Sequence, residues 1–266
     1  LCRFEDDTRL SISVVGGGPT GVEMAGAIAE LKKGPLTSDQ REAAAHIEVN
    51  LVEAGPRLLP SFSKSLSDRT VKDLQKLGVN VYTNAVVKEV KPRQILLKDG
   101  TSIGSEITIW AAGVTGEPGM NKLALPVEAG RIKIEPTLQV SNYPKVFAIG
   151  DIAGGKDAKG RPLPMVAPVA MQQGRFVAKQ IAAILANRPL GTFKYRDKGS
   201  MATIGRHKAV VEVGKLKIGG ALAWYAWLWL HLFYLLGGRN KIGTMADWTW
   251  NYLTFDRGNR HIIDIN

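Results

Sequence analysis

Apolar residues near the front of the chain come in short dense runs separated by glycine and polar clusters. Residues 10–15 (LSISVV) form one run, closed by Gly16-Gly17-Gly18 and followed by a segment rich in small side chains, Ala25, Gly26, Ala27 and Ala29. The pattern predicts a strand, a glycine turn and a helix. Residues 46–55 (HIEVNLVEAG) alternate, with Ile47, Val49 and Leu51 on one face, and predict a second strand ending in Glu53. Between the two, residues 32–46 read as a surface loop with a helical extension. Val71, Leu74 and Leu77 recur at helical spacing, with Ser65 or Ser67 as the cap and Gly78 as the stop. Strand-like runs follow at 79–90 and 93–103, the latter turning at Asp99-Gly100. Residues 106–114 (EITIWAAGV) predict a buried strand to Trp110 that opens into Ala111, Ala112 and Gly113, small enough for a cofactor or a crossing chain to come close. Residues 10–114 read as one α/β domain of the mononucleotide-binding type.

The pattern changes in the second half. An apolar strand in 146–154 (VFAIGDIAG) ends in Gly150-Asp151, and 164–185 predicts a helix with Val169, Gln173, Phe176 and Gln180 about a turn apart. A strand pair at 200–213 and 215–220 precedes 221–238, which is apolar on every face except His231 and so must be covered by protein or lipid. As a helix, 221–236 would reach about 24 Å at ~1.5 Å per residue, short of the ~30 Å hydrocarbon core. Lys215, Lys217, Arg239 and Lys241 flank it, and Trp248, Tyr252 and Phe255 follow at i, i+4 and i+7. Aromatic bodies with basic rims fit a pair of helices lying in the plane of an anionic membrane surface. A dimer interface or a buried core helix would use the same residues.

Composition narrows the chemistry. The 266 residues carry 35 Lys and Arg against 24 Asp and Glu, a net charge of +11 that calls for an anionic partner: a lipid surface, nucleic acid or a phosphorylated cofactor. The aromatics cluster in an apolar block instead of interleaving with Lys and Arg, which argues against nucleic acid. Cys2 is the only cysteine, so neither an internal disulfide nor a CxxC pair can form. His46, His207, His231 and His261 lie far apart, and no metal site is expected. The chain opens at Leu1, with no Met and no leader pattern, and is expected to be part of a longer chain.

The strongest motif is Gly16-x-Gly18-Pro19-Thr20-Gly21 in strand–turn–helix context. Gly16 would permit the tight turn, Gly18 would let a pyrophosphate approach the backbone, and Gly21 would let helix and strand pack closely. The helix N-terminus would then meet the phosphates with unpaired N–H groups. Glu53, at the tip of the next strand, is either a solvated acid or an acceptor for ribose hydroxyls, and in the second role it favours NADH over NADPH.

Taken in order, residues 14–31 (VVGGGPTGVEMAGAIAEL), WAAGV, VFAIGDIA and LPMVAPVAMQQGRFVA resemble the type II NADH dehydrogenases, single-subunit NADH:quinone oxidoreductases of the two-dinucleotide-binding flavoprotein superfamily. The resemblance runs over nearly the whole chain from Leu10. It implies an α/β fold with a connector at 1–9, a Rossmann-like NADH-binding domain at 10–115, the second part of an FAD-binding domain at 116–195 and a membrane-associating α+β region at 196–266. The FAD fingerprint is expected further upstream, outside this chain. By the same resemblance Gly150 and Asp151 hold the ribityl or pyrophosphate part of FAD. Backbone N–H groups around Ala167, Pro168 and Val169 face the flavin, and Gln172 and Gln173 sit at the flavin–quinone junction unless they form an ordinary polar helix face. Glu23 lies near the nicotinamide unless it is a simple helix N-terminal acid, and Lys241 approaches the flavin or quinone. The implied enzyme is a peripheral membrane protein on the cytoplasmic face of the inner membrane, binds FAD and NADH, and reduces quinone without pumping protons; a homodimer is left open. Two other readings stay open: a soluble flavoprotein reductase of the same superfamily, and a non-catalytic NAD-binding membrane fragment.

Overall fold

Strand β1 (Leu10–Val15) lies inside a four-stranded parallel sheet of order β3–β2–β1–β7. It pairs with β2 (Ile47–Val52) from Leu10↔Ile47 to Val15↔Val52, and with β7 (Ile107–Trp110) from Ile12↔Ile107. β2 continues to β3 (Val79–Tyr82) from Val49↔Val79. The structure, a computed structural model, describes residues 10–33, 46–113, 124–235 and 237–254. The connector at 1–9, most of the loop between the first helix and β2, and Phe255 lie outside these residues. Helices α1 (Pro19–Lys33) and α2 (Lys64–Leu77) make the crossovers that parallel neighbours require. An antiparallel meander, β4 (Val87–Lys91), β5 (Gln94–Leu97) and β6 (Ser102–Gly104), precedes β7. Its β5–β6 turn falls at Asp99-Gly100, with Gly100 at φ 91° and the Thr101 N–H holding the Asp99 carboxyl below its ordinary value.

Two expectations change. The N-cap residue of α2 is Ser63, in extended conformation, and not Ser65 or Ser67. Ser67 is buried inside the helix, where its hydroxyl donates to the Leu58 carbonyl at 2.6 Å. Gly78 does end the helix, at φ 89° in the left-handed region that suits glycine. β7, expected to be buried, is the last strand of its sheet and leaves Ile107 and Trp110 exposed.

The first unit comprises residues 1–112 together with 199–266. Strands β12 (Ser200–Gly205), β13 (Lys208–Val213) and β14 (Leu216–Gly220) form an antiparallel sheet within it. Their alternation sends Ala202, Ile204 and Val210 into one core with Val14, Val22, Ala25, Leu51 and Leu74. Met201, Ala209 and Val211 turn the other way, toward Ala223 and Trp224 of α4 (Ala221–Tyr234). Residues 199–254 therefore pack as part of the first unit, a joint that a division in chain order does not reveal. α5 (Gly238–Thr254) follows, giving the expected pair of helices. Among the described residues no helix is long and apolar enough to cross a membrane.

The second unit, residues 113–198, holds two short strand pairs, β8 (Val127–Glu128) with β9 (Arg131–Ile132) and β10 (Gln139–Val140) with β11 (Tyr143–Phe147), followed by α3 (Ala167–Leu185). Ala129 and Gly130 close the first pair, both at positive φ, as a two-residue hairpin turn demands. Ile132, Val140, Ala148 and Ala153 form its small core.

Candidate functional site

In the first unit the chemistry gathers at the carboxyl ends of β1 and β2, where ligands of open α/β sheets bind. Gly16 turns the chain at φ 116°, and its N–H donates to Val52 O at 2.8 Å. A β-carbon there would lie 2.9 Å or less from the Ala111–Ala112 backbone, so the small residues after Trp110 serve a crossing chain. At Gly21 a β-carbon would run into the Gly16 carbonyl. At Gly18 it would meet nothing within 4 Å, which leaves that stretch of backbone open to a ligand. The tight turn at Gly16 and the close packing at Gly21 are present in the fold, with Pro19 and Thr20 opening α1 between them. Gly17, outside the three-glycine pattern, is also required: a β-carbon would press on Leu58 and on the Glu53 side chain.

Glu53 is not a freely solvated acid. Its carboxylate accepts from Gly17 N at 2.5 Å and from Gly55 N at 2.6 Å. The acid is thereby fixed against the elbow with lone pairs to spare, since a carboxylate offers about four acceptor sites.

Glu23 points to the C-terminal sheet, accepting from Thr203 N at 3.1 Å. About two turns further along the same face of α1, Glu30 accepts from Arg206 N. Both line a cavity of about 590 Å³ walled by Trp224, Trp227 and Trp248, and sequence reasoning did not find Glu30. Its signal was present, because residues 23 and 30 share one helical face. Lys241 places its ammonium 5.3 Å from the centre of the Phe233 ring, its one described side-chain contact.

In the second unit Gly150 sits at φ 74° and donates its N–H to the Gln173 Oε1 at 2.7 Å. Gln173 is fully buried, and its amide oxygen positions the Gly-Asp turn. Gln172 is spent on Arg196, donating to its O at 2.9 Å and accepting from its N at 3.0 Å. Of the N–H groups expected around Ala167–Val169, Pro168 has none and Val169 gives its own to Val166 O at 3.0 Å, which leaves the Ala167 amide. Val169 itself is a core side chain. The Asp151 carboxylate faces solvent, while its carbonyl accepts from the Nε of buried Arg131 at 3.1 Å. Burial pulls the Arg131 guanidinium below its ordinary value, and Asp151 works in the opposite direction. Arg131 was not singled out from the sequence, since a lone Arg after a turn glycine carries no motif. Replacing Gln173 by Met keeps the volume and removes the acceptor. We expect a loss of about 1–3 kcal/mol in stability and faster amide exchange at 148–152, read by hydrogen–deuterium exchange.

A parallel sheet with a glycine elbow at its carboxyl edge, carried in one chain with a Gly-Asp turn braced by a helix, is the architecture of the dinucleotide-binding α/β proteins. Comparison with known proteins agrees. Residues 3–174 match the pyridine nucleotide-disulphide oxidoreductase family, and residues 198–257 match the NDH2 C-terminal domain. The chain belongs to the pyridine nucleotide-disulphide oxidoreductase family, in its type II NADH:quinone oxidoreductase branch. It is 40% identical to the type II NADH:quinone oxidoreductase Ndh of Mycobacterium tuberculosis, over 96% of this chain and 57% of that protein. With the type II NADH:quinone oxidoreductase of Haemophilus influenzae it shares 32% identity, over 91% of this chain and 57% of the relative. The chain thus spans little more than half the length of these relatives. The fold superposes on NDH2 of Plasmodium falciparum, solved in complex with NADH, with a TM-score of 0.87 at 20% identity, covering 96% of this chain and 68% of that one.

Proposed function

We propose that the protein is a non-proton-pumping NADH:quinone oxidoreductase. The open backbone at Gly18, with Glu53 fixed beside it, is the observation that carries the reading. The diphosphate of NADH rests on the N-terminus of α1, and Glu53 accepts from the adenosine ribose while repelling a 2′-phosphate. FAD, when bound, supplies the hydride-accepting and two-electron-donating chemistry. Gly150, whose turn is fixed by Gln173, and the exposed carboxylate of Asp151 are the groups of this chain that would hold it, with the Ala167 amide at the N-terminus of α3. Val146 of β11 and Ile181 and Ile184 of α3 are exposed among the described residues, which supports reading this unit as one part of a larger flavin domain. The aromatic cavity of the first unit is where the quinone ring would lie, with flat indole walls and polar groups on its floor.

Membrane contact runs through Leu222, Trp229 and Phe233 of α4 and Ile242 of α5, all exposed, with Lys215, Lys217 and Arg239 nearby in sequence to meet anionic headgroups. On this proposal the protein is peripheral to the inner membrane and sits on its cytoplasmic face. A second copy of the chain would compete for the same apolar face. Flotation with anionic vesicles, run beside sedimentation, separates the two.

The test of the central reading uses protein loaded with FAD. Parent protein is expected to reduce a quinone analogue with NADH and to turn over NADPH poorly. Glu53→Gln keeps an acceptor oxygen but removes the charge, and the NADH over NADPH ratio of kcat/KM should fall about ten-fold. Protein that retains no flavin and reduces no quinone analogue would overturn the proposal.

A further inference from the structure

We infer that the aromatic cavity of the first unit selects by redox state, holding an aromatic diol more tightly than the corresponding quinone; this rests on reading that cavity as the quinone site. The walls do not discriminate, because the indoles of Trp224, Trp227 and Trp248 present flat surfaces to either ring and N–H donors that a carbonyl and a hydroxyl oxygen both accept. One ring face of Trp227 is already covered by His231, whose ring stacks on it at 3.9 Å. The floor does discriminate. Glu23 and Glu30 lie seven residues apart on α1, and each gives an oxygen to a backbone N–H, of Thr203 and of Arg206 respectively. Each keeps a second oxygen, and both residues line the cavity.

An ionised carboxylate accepts hydrogen bonds and cannot donate them. A quinone carbonyl is likewise only an acceptor, so the two oppose each other. A quinol hydroxyl donates, and a bond to a charged acceptor is about twice as strong as one between neutral groups. The donors on the lining, the Arg206 guanidinium and the hydroxyls of Thr203, Tyr225 and Thr249, serve a quinone carbonyl and a quinol oxygen alike, because both oxygens accept. The cavity therefore favours the reduced product. Turnover then slows as the quinol fraction rises at fixed total quinone, a feedback built into the site.

The experiment is equilibrium dialysis under argon of the purified protein, without NADH, against tetramethyl-benzoquinone and against its hydroquinone. The hydroquinone is expected to bind about five-fold tighter. Glu30→Gln retains an acceptor for the Arg206 amide while removing the charge, so the ratio should shrink toward about two-fold, with a denaturation midpoint confirming the fold. Equal affinities for the two ligands would overturn the redox selectivity and leave the site reading intact. Saturable binding of neither would overturn both. A five-fold ratio unchanged in Glu30→Gln and in Glu23→Gln would overturn the assignment to the carboxylates.

Discussion

Gly18→Val is expected to fold and melt like the parent yet to lose NADH. Among the described residues, chain neighbours aside, nothing lies within 4 Å of a β-carbon at Gly18, and its backbone is outside the left-handed region, so a branched side chain neither clashes nor strains the turn. Open space in the free protein is where a dinucleotide diphosphate must approach the backbone, and two methyl groups there take the place of phosphate oxygens. Gly16 and Gly21 cannot make this distinction, because a β-carbon at Gly16 meets the Ala111–Ala112 backbone and one at Gly21 meets the Gly16 carbonyl. Isothermal titration should show NADH affinity reduced about a hundred-fold, roughly 2.7 kcal/mol, and the melting temperature should stay within about 2 °C. Parental affinity in Gly18→Val would mean that the diphosphate does not cross this glycine, and the nucleotide reading of the elbow would fail with it.

The elbow was legible because its requirements are local. A tight turn, an open backbone and a close helix–strand approach each demand glycine at a fixed spacing, and the flanking periodicity places them between β1 and α1. Gly78 and the Asp99-Gly100 turn were legible for the same reason. The Ser63 cap was not, since three serines within five residues offer the same hydroxyl and only the helix start decides among them. The glutamines show a different limit. Gln172 and Gln173 are adjacent and chemically identical, yet one clamps the Arg196 backbone at the surface and the other is buried against Gly150. Their helical phases differ by about 100°, and which phase faces the Gly-Asp turn is set by packing. The joint between α1 and the C-terminal sheet was hidden because it links residues about 180 positions apart, a separation no local pattern reports.

That joint makes the sharpest stability prediction. In a helix interior, exchanging glycine for alanine ordinarily stabilises by about 0.5–1 kcal/mol. At Gly243 in α5, where a β-carbon would meet nothing within 4 Å, that gain is expected. At Gly26 in α1 the sign should reverse. A β-carbon there would run into the backbone carbonyl of Ile204, and backbone, unlike a side-chain tip, cannot swing aside. Glu23 and Glu30 hold β12 on either side through the amides of Thr203 and Arg206, so the strand cannot back away at 204 without breaking those bonds as well. Gly26→Ala should therefore cost about 2 kcal/mol net, as overpacked cores do, and lower the melting temperature by roughly 4–8 °C. Denaturation of Gly26→Ala beside Gly243→Ala isolates the effect, since the pair shares one propensity term and differs in what the new methyl group meets. A gain at both positions would show that α1 and β12 do not lie in contact, and the carboxylate floor of the aromatic cavity would lose its support.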